Sequence, residues 1–199
     1  HFHTVFMFSM NDEVVHTGPG DHRGLIWGER HLVVLGEEEI AIYGCHDGFR
    51  HERTLALAAR LATIAGGELV VSTEAHGIVA YALDTGERLR LMYRNEALCI
   101  ASTGRFVVWG DFGGQLRVRH AGSDQNVRSL VASDTAIVRV AAGAHRVVWA
   151  DKNGRVGVVQ LDAVGPLSLH GFPAPVRAVA IDSTGEHIAA ASGGVVRIW

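Results

Sequence analysis

Gly104-Arg105-Phe106-Val107-Val108-Trp109-Gly110-Asp111-Phe112-Gly113-Gly114-Gln115-Leu116-Arg117-Val118 decides the fold. A four-residue apolar run follows a glycine, breaks at Asp-x-Gly-Gly, and restarts as an alternating segment. Phe, Val and Trp fit a pleated, half-buried surface, and Asp and Gly tolerate the positive φ of a tight turn. The stretch therefore reads as a β-hairpin. It recurs upstream and downstream. The glycines that precede an apolar run, Gly28, Gly66, Gly104, Gly143 and Gly185, lie 38, 38, 39 and 42 residues apart. The glycines that open the alternating strand, Gly77, Gly114, Gly154 and Gly194, lie 37, 40 and 40 apart.

Two landmarks with one period define a repeat of about 40 residues holding about four short strands, the pattern of a β-propeller blade. A helix needs apolar residues three and four apart over ten or more positions. Residues 50–65 come nearest to that, with Leu55, Leu57, Leu61 and Ile64. They lie in phase with the strands of the other units and read as strand, turn, strand. The runs Phe106–Trp109 and Val147–Ala150 suit inner strands covered on both faces. The more polar Glu87–Met92 and Asn126–Val131 suit outer strands. The expected fold is all-β: four-stranded antiparallel blades, about five in number, near residues 24–58, 59–94, 95–133, 134–173 and 174–199.

Residues 1–23 read as one or two N-terminal strands and a linker. Phe2-His3-Thr4-Val5-Phe6-Met7-Phe8 is apolar and β-prone, and 13–17 is a weaker strand. The last unit stops after its third strand. An N-terminal strand is expected to complete it and close the ring with five blades, which removes exposed edges. Alternatively, residues 2–17 resemble the third and fourth strands of a unit, and the chain is an arc of a larger propeller. The first residue is His1 rather than Met, so the expectation is a piece or a processed form of a larger protein.

These residues resemble the WD-repeat (WD40-like) family. Val196-Arg197-Ile198-Trp199 is similar to its third-strand signature. Asp111 to Gly114, Asp151 to Gly154 and Ile181-Asp182-Ser183-Thr184-Gly185 are similar to its turns. The similarity covers residues 24 to 199. The chain departs from the family where no unit carries a Gly-His pair before its first strand, and where Tyr81, Val118 and Val158 replace Trp. The family's buried His–Ser–Asp–Trp network is therefore expected to be incomplete. Tyr81-Ala82-Leu83-Asp84-Thr85-Gly86 also resembles quinoprotein dehydrogenase blades, but without their two residues between Asp and Thr.

The remaining composition narrows the function. Lys and Arg number 18 against 21 Asp and Glu, with no basic stripe, so nucleic acid is not an expected partner. No apolar run reaches the length of a membrane span. Cys45 and Cys99 fit no metal or redox spacing, which suits a reducing, cytoplasmic setting. Twelve histidines, mostly in turns, read as solvated loop residues. His1 with His3, and Cys45-His46-Asp47, are the nearest approaches to a zinc site. There is no G-x-S-x-G, H-E-x-x-H, P-loop or dinucleotide glycine pattern. No catalytic residue, metal or cofactor is assigned.

In the propeller reading, the loops entering each first strand and those between second and third strands share one rim. That rim would present Tyr93, Arg94, Asp111, Phe112, Asp134, Asp151, Lys152 and Phe172 to a protein partner, since aromatic and Arg side chains are favoured interface anchors. The expected function is a non-catalytic protein-interaction scaffold or sensor. The alternatives are a propeller enzyme, a hydrolase or quinoprotein-like oxidoreductase with its site in the central funnel, and a sugar- or small-ligand-binding propeller with aromatics at equivalent positions.

Overall fold

The computed structural model describes residues 7–8, 14–16, 24–46, 48–123, 126–161, 166–169 and 171–199, of which 7–8, 14–16, 131–132 and 166–168 are described by their backbone alone. Among these there is no helix. β1 (Met7–Phe8) and β2 (Val14–His16) pair with each other. Four sheets of four antiparallel strands follow. Sheet 1 is β3 (Gly24–Trp27), β4 (His31–Leu35), β5 (Ile40–Gly44) and β6 (Arg50–Leu55). Sheet 2 is β7 (Leu61–Ala65), β8 (Glu68–Thr73), β9 (Gly77–Ala82) and β10 (Arg88–Tyr93). Sheet 3 is β11 (Cys99–Ser102), β12 (Phe106–Gly110), β13 (Gln115–His120) and β14 (Arg128–Ala132). Sheet 4 is β15 (Ile137–Ala142), β16 (Arg146–Asp151), β17 (Val156–Gln160) and β18 (Pro166–Leu169). Sheet 5 has three strands, β19 (Ala178–Ile181), β20 (Ile188–Ser192) and β21 (Val195–Ile198). Residues 50–65 are two strands, as their phase indicates.

Each sheet pairs its strands in chain order, so every connection is a hairpin or a step to the next sheet. Burial follows from that order. The second and third strands have a neighbour on each edge, and β4, β5, β8 and β16 are almost wholly buried. Outer strands β6 and β10 are more exposed.

The sheets stack consecutively through apolar seams. Val33 and Ile42 of sheet 1 meet Leu69 and Val79 of sheet 2. Val70 and Ile78 of sheet 2 meet Val107 and Trp109 of sheet 3. Val108 and Leu116 of sheet 3 meet Val147 and Trp149 of sheet 4. Val148 and Val156 of sheet 4 meet Ile188 and Ala190 of sheet 5. No sheet alone buries enough apolar surface to be independently stable, so the units support one another. The arrangement is compatible with a β-propeller.

One polar seam crosses sheets 2 and 3. The buried Glu68 carboxylate accepts from Arg90 on its own sheet and from the Gly122 amide of the next. Arg119 donates to the Met92 carbonyl in the opposite direction. A charge this buried is tolerable only with its partners in place.

Sheet 5 is built differently on its far face. Register places Ala178, Ala180, Ala189, Ala191, Val196 and Ile198 there, and Val196 and Ile198 are 64% and 73% exposed. On sheet 4 the equivalent Val156 and Val158 are buried. The expected completion of this sheet by residues 1–23 lies largely outside the described residues. The two strands described there, β1 and β2, pair with each other.

Candidate functional site

The rim is built from the turns between the second and third strands. In sheet 3, Asp111 follows β12, and its carboxylate folds back to accept from the Gln115 amide (2.9 Å) and from Arg117 Nε (2.9 Å). In sheet 4, the Asp151 carboxylate accepts from the Asn153 and Arg155 amides (2.9 and 3.0 Å) and from Ser133 Oγ (2.8 Å). Thr73 plays the part in sheet 2, where its hydroxyl accepts from the His76 amide. Short polar side chains satisfying nearby backbone donors are the common device of such turns.

The loop that leaves each sheet is seated under the same turn. Gly77, Gly114 and Gly154 have φ of 70°, 76° and 86°. A Cβ on them would stand 2.3, 2.1 and 2.5 Å from the carbonyl oxygens of Tyr93, Ser133 and Phe172. Ser133 N donates to the Gly114 carbonyl and Phe172 N to that of Gly154. Two cations lock the seams: Arg117 lies 4.9 Å over the Tyr93 ring, and Arg197 lies 4.8 Å over that of Phe172. Tyr93 in turn packs on Trp109, ring centroids 5.6 Å apart.

Every residue expected at this rim therefore lies on one continuous line from sheet 2 to sheet 5, but in two different settings. Asp111, Asp151 and Phe172 are buried. The two carboxylates serve the turns, and Phe172 faces the core between sheets 4 and 5. Tyr93 is half-buried beneath Arg117. The exposed members are Arg94, Phe112, Asp134 and Lys152. Phe112 stands out at 65% exposure, in a turn held by the Asp111 carboxylate before it and the positive φ of Gly114 after it. Asp134 faces Arg155 at 3.2 Å, an exposed pair that contributes little to stability. Farther along the rim, a cleft of about 710 Å³ between sheets 1 and 2 is lined by Glu37, Glu38, Glu74 and Arg60.

Sequence reasoning missed Arg117 and Arg197. The signal was there: the alternation Gln115-Leu116-Arg117-Val118 puts Arg117 on the face opposite Leu116 and Val118, beside the cross-strand Trp109. It also missed the other end of the sheets. There Trp27 is 66% exposed, beside a cleft of about 780 Å³ that reaches the glycine turn of sheet 2. Asp182, in the corresponding turn of sheet 5, accepts from the His187 ring, Thr184 Oγ1 and the Glu186 amide. The bond from His187 holds its carboxyl well below the usual range, and the imidazole is raised in return.

Among the described residues no three His, Cys, Asp or Glu side chains converge as metal ligands. His1, His3 and Asp47, the nearest approaches to zinc ligands in the sequence, lie outside the described residues. No described helix is long and apolar enough to cross a membrane. Both cysteines are free thiols. Burial pushes the Cys99 thiol up to about 12, so it carries essentially no thiolate at neutral pH. With a thiol-specific disulfide reagent at pH 8, Cys99 stays unmodified in the native protein and reacts once denaturant is added. Modification at the same rate in both conditions would contradict its burial.

No family model matches the chain, and no curated protein matches it either.

Proposed function

We propose that this chain is a WD-repeat-like propeller segment acting as a non-catalytic protein-interaction scaffold or sensor within a larger protein or complex. The observation that carries the reading is Phe112. A large aromatic side chain, 65% exposed, is presented from a turn whose backbone is pinned by a buried carboxylate and a seated loop. An aromatic displayed on a rigid support loses little conformational entropy on binding, which is what an interface anchor requires. Arg94, Asp134 and Lys152 supply a polar rim around it. The open apolar face of sheet 5 favours an arc of a larger ring over five closed blades. Two free thiols suit a cytoplasmic setting.

Replacing Phe112 and Arg94 together with alanine leaves the melting temperature within about 2 °C, since both are exposed surface positions. The same change weakens partner capture about tenfold or more, the usual cost of losing an anchor. The measurement is quantitative affinity capture from the source proteome with wild-type and doubly substituted protein side by side. Recovery of the same partners at the same yield removes the rim from consideration.

A further inference from the structure

Phe112 does not stand alone on its rim. The loop that leaves sheet 3 ties its turn to the next one: Ser133 N donates to the Gly114 carbonyl, Ile137 N to that of Asp111, and Lys152 N to that of Ala136. On the other side, Leu98 N donates to the Gly110 carbonyl. The same loop begins at Arg94, packed over Gly77 of sheet 2, where a Cβ would stand 2.6 Å from the Arg94 carbonyl oxygen. Phe112 thus lies between Arg94 and Lys152, one sheet away from each, and all three are exposed. Facing sheets stand about 10 Å apart, so the backbones of the two cations flank that of the aromatic at about this distance.

The carboxylates of this stretch are neutralised locally. Asp111 pairs with Arg117 at 2.9 Å, Asp134 with Arg155 at 3.2 Å and Glu96 with Arg60 at 3.5 Å. The buried Asp151 accepts from two backbone amides and from Ser133 Oγ. Among the described residues Arg94 and Lys152 form no ion pair. The rim therefore presents an aromatic side chain between two uncompensated positive charges. The sign reverses toward sheet 1, where Glu74, Glu37 and Glu38 are exposed in the turns. An anionic partner is held over Phe112 and repelled beyond it.

Taking the Phe112 rim as the docking surface proposed above, we infer that its partner is an acidic protein segment, with an apolar side chain against Phe112 and a carboxylate about three residues to either side. The spacing follows from the cations, because an extended chain rises about 3.3 Å per residue and covers about 10 Å in three. The apolar centre buries surface against the ring. The flanking carboxylates meet Arg94 and Lys152 and fix the register. Nucleic acid also combines stacking with phosphate contacts, but two cations on a chain of net charge −3 supply few of those contacts, which favours a peptide.

The probe is an acetylated, amidated heptapeptide with leucine at its centre, glutamate at both ends and serine elsewhere. One control has lysine at both ends, a second has serine at the centre, and a single-stranded hexanucleotide stands for nucleic acid. Binding is read from the amide shifts of Gly113 and Asn153 in the intact chain. The acidic peptide is expected to shift both, and to bind more weakly as salt rises. Serine at the centre lowers the affinity about tenfold. Lys152→Glu, at an exposed position, turns an attraction into a repulsion and also lowers it about tenfold, whereas Lys152→Arg keeps it within about twofold. Arg94→Glu combined with Lys152→Glu reverses the preference, so that the lysine-ended peptide binds and the acidic one does not, a gain that misfolding cannot produce. Equal shifts from the lysine-ended peptide or the hexanucleotide on the wild-type protein, no shift from the acidic peptide up to its solubility limit, or an unreversed preference in the double variant overturns the inference. The rim is judged separately: partner capture that depends on Phe112 while the acidic peptide fails to bind removes the acidic segment and keeps the rim, and acidic-peptide binding unchanged by Phe112→Ala removes both.

Discussion

Trp109→Ala lowers the free energy of unfolding by about 3–5 kcal/mol, the range for truncating a fully buried aromatic side chain. Trp109 has no solvent exposure and sits at the seam where sheet 3 meets Val70 and Ile78 of sheet 2. It also supports Tyr93, whose other side carries Arg117. Alanine therefore leaves a cavity bounded by two sheets and withdraws the platform beneath the rim. Trp109→Phe should cost far less, about 1 kcal/mol, for a reason specific to this site. The indole Nε1 is buried with no hydrogen-bond partner among the described residues, and losing an unsatisfied donor offsets part of the lost volume. Equilibrium denaturation in urea gives both values. If Trp109→Ala costs under about 1 kcal/mol, sheets 2 and 3 do not pack as described. If Trp109→Phe costs as much as Trp109→Ala, the indole nitrogen has a partner.

The repeat was legible because strand burial writes itself directly into sequence. β12 and β16 are buried on both faces, so they read as unbroken apolar runs ending in Trp109 and Trp149. Outer strands β6 and β10 are more polar: Arg50, His51 and Glu52 of β6 face water, whereas in β10 Leu89 and Leu91 are exposed and Arg90 turns inward to Glu68. The rim was legible only as a location. Asp111, Phe112, Asp134 and Asp151 are all turn residues by composition, and nothing local distinguishes a carboxylate that points outward from one that folds back onto its own turn. That difference depends on the neighbouring loop: Ser133 reaches Asp151 from the end of the preceding sheet, a contact 18 residues away in sequence. Period and pattern fix which residues share a strand, and they say much less about what lies across a seam.

Gly114→Ala should be the most damaging single-methyl addition to the rim, costing about 3 kcal/mol or more. Two effects combine. An L-residue at φ of 76° loses about 1–2 kcal/mol to the left-handed backbone. The new Cβ would also stand 2.1 Å from the Ser133 carbonyl oxygen and 2.7 Å from that of Thr135. These are backbone atoms that cannot rotate away, and Ser133 is tied to both Gly114 and Asp151. Two other glycines separate the effects. Gly104 has φ of 82° with nothing within 4 Å of an added methyl, so Gly104→Ala suffers the backbone strain alone, about 1–2 kcal/mol. Gly113 lies outside the left-handed region, and its nearest contact would be Asp111 Oδ1 at 3.4 Å, so Gly113→Ala stays within about 0.5 kcal/mol. Urea denaturation of the three variants should therefore rank Gly114 worst, Gly104 next and Gly113 last. The collision also bears on function: relief requires the Ser133 loop to lift, which carries Asp134 away from Phe112 and weakens partner capture even where the protein remains folded. Should Gly114→Ala cost no more than Gly104→Ala, the departing loop is not seated beneath the turn, and Phe112 loses the rigid support on which its role as an anchor depends.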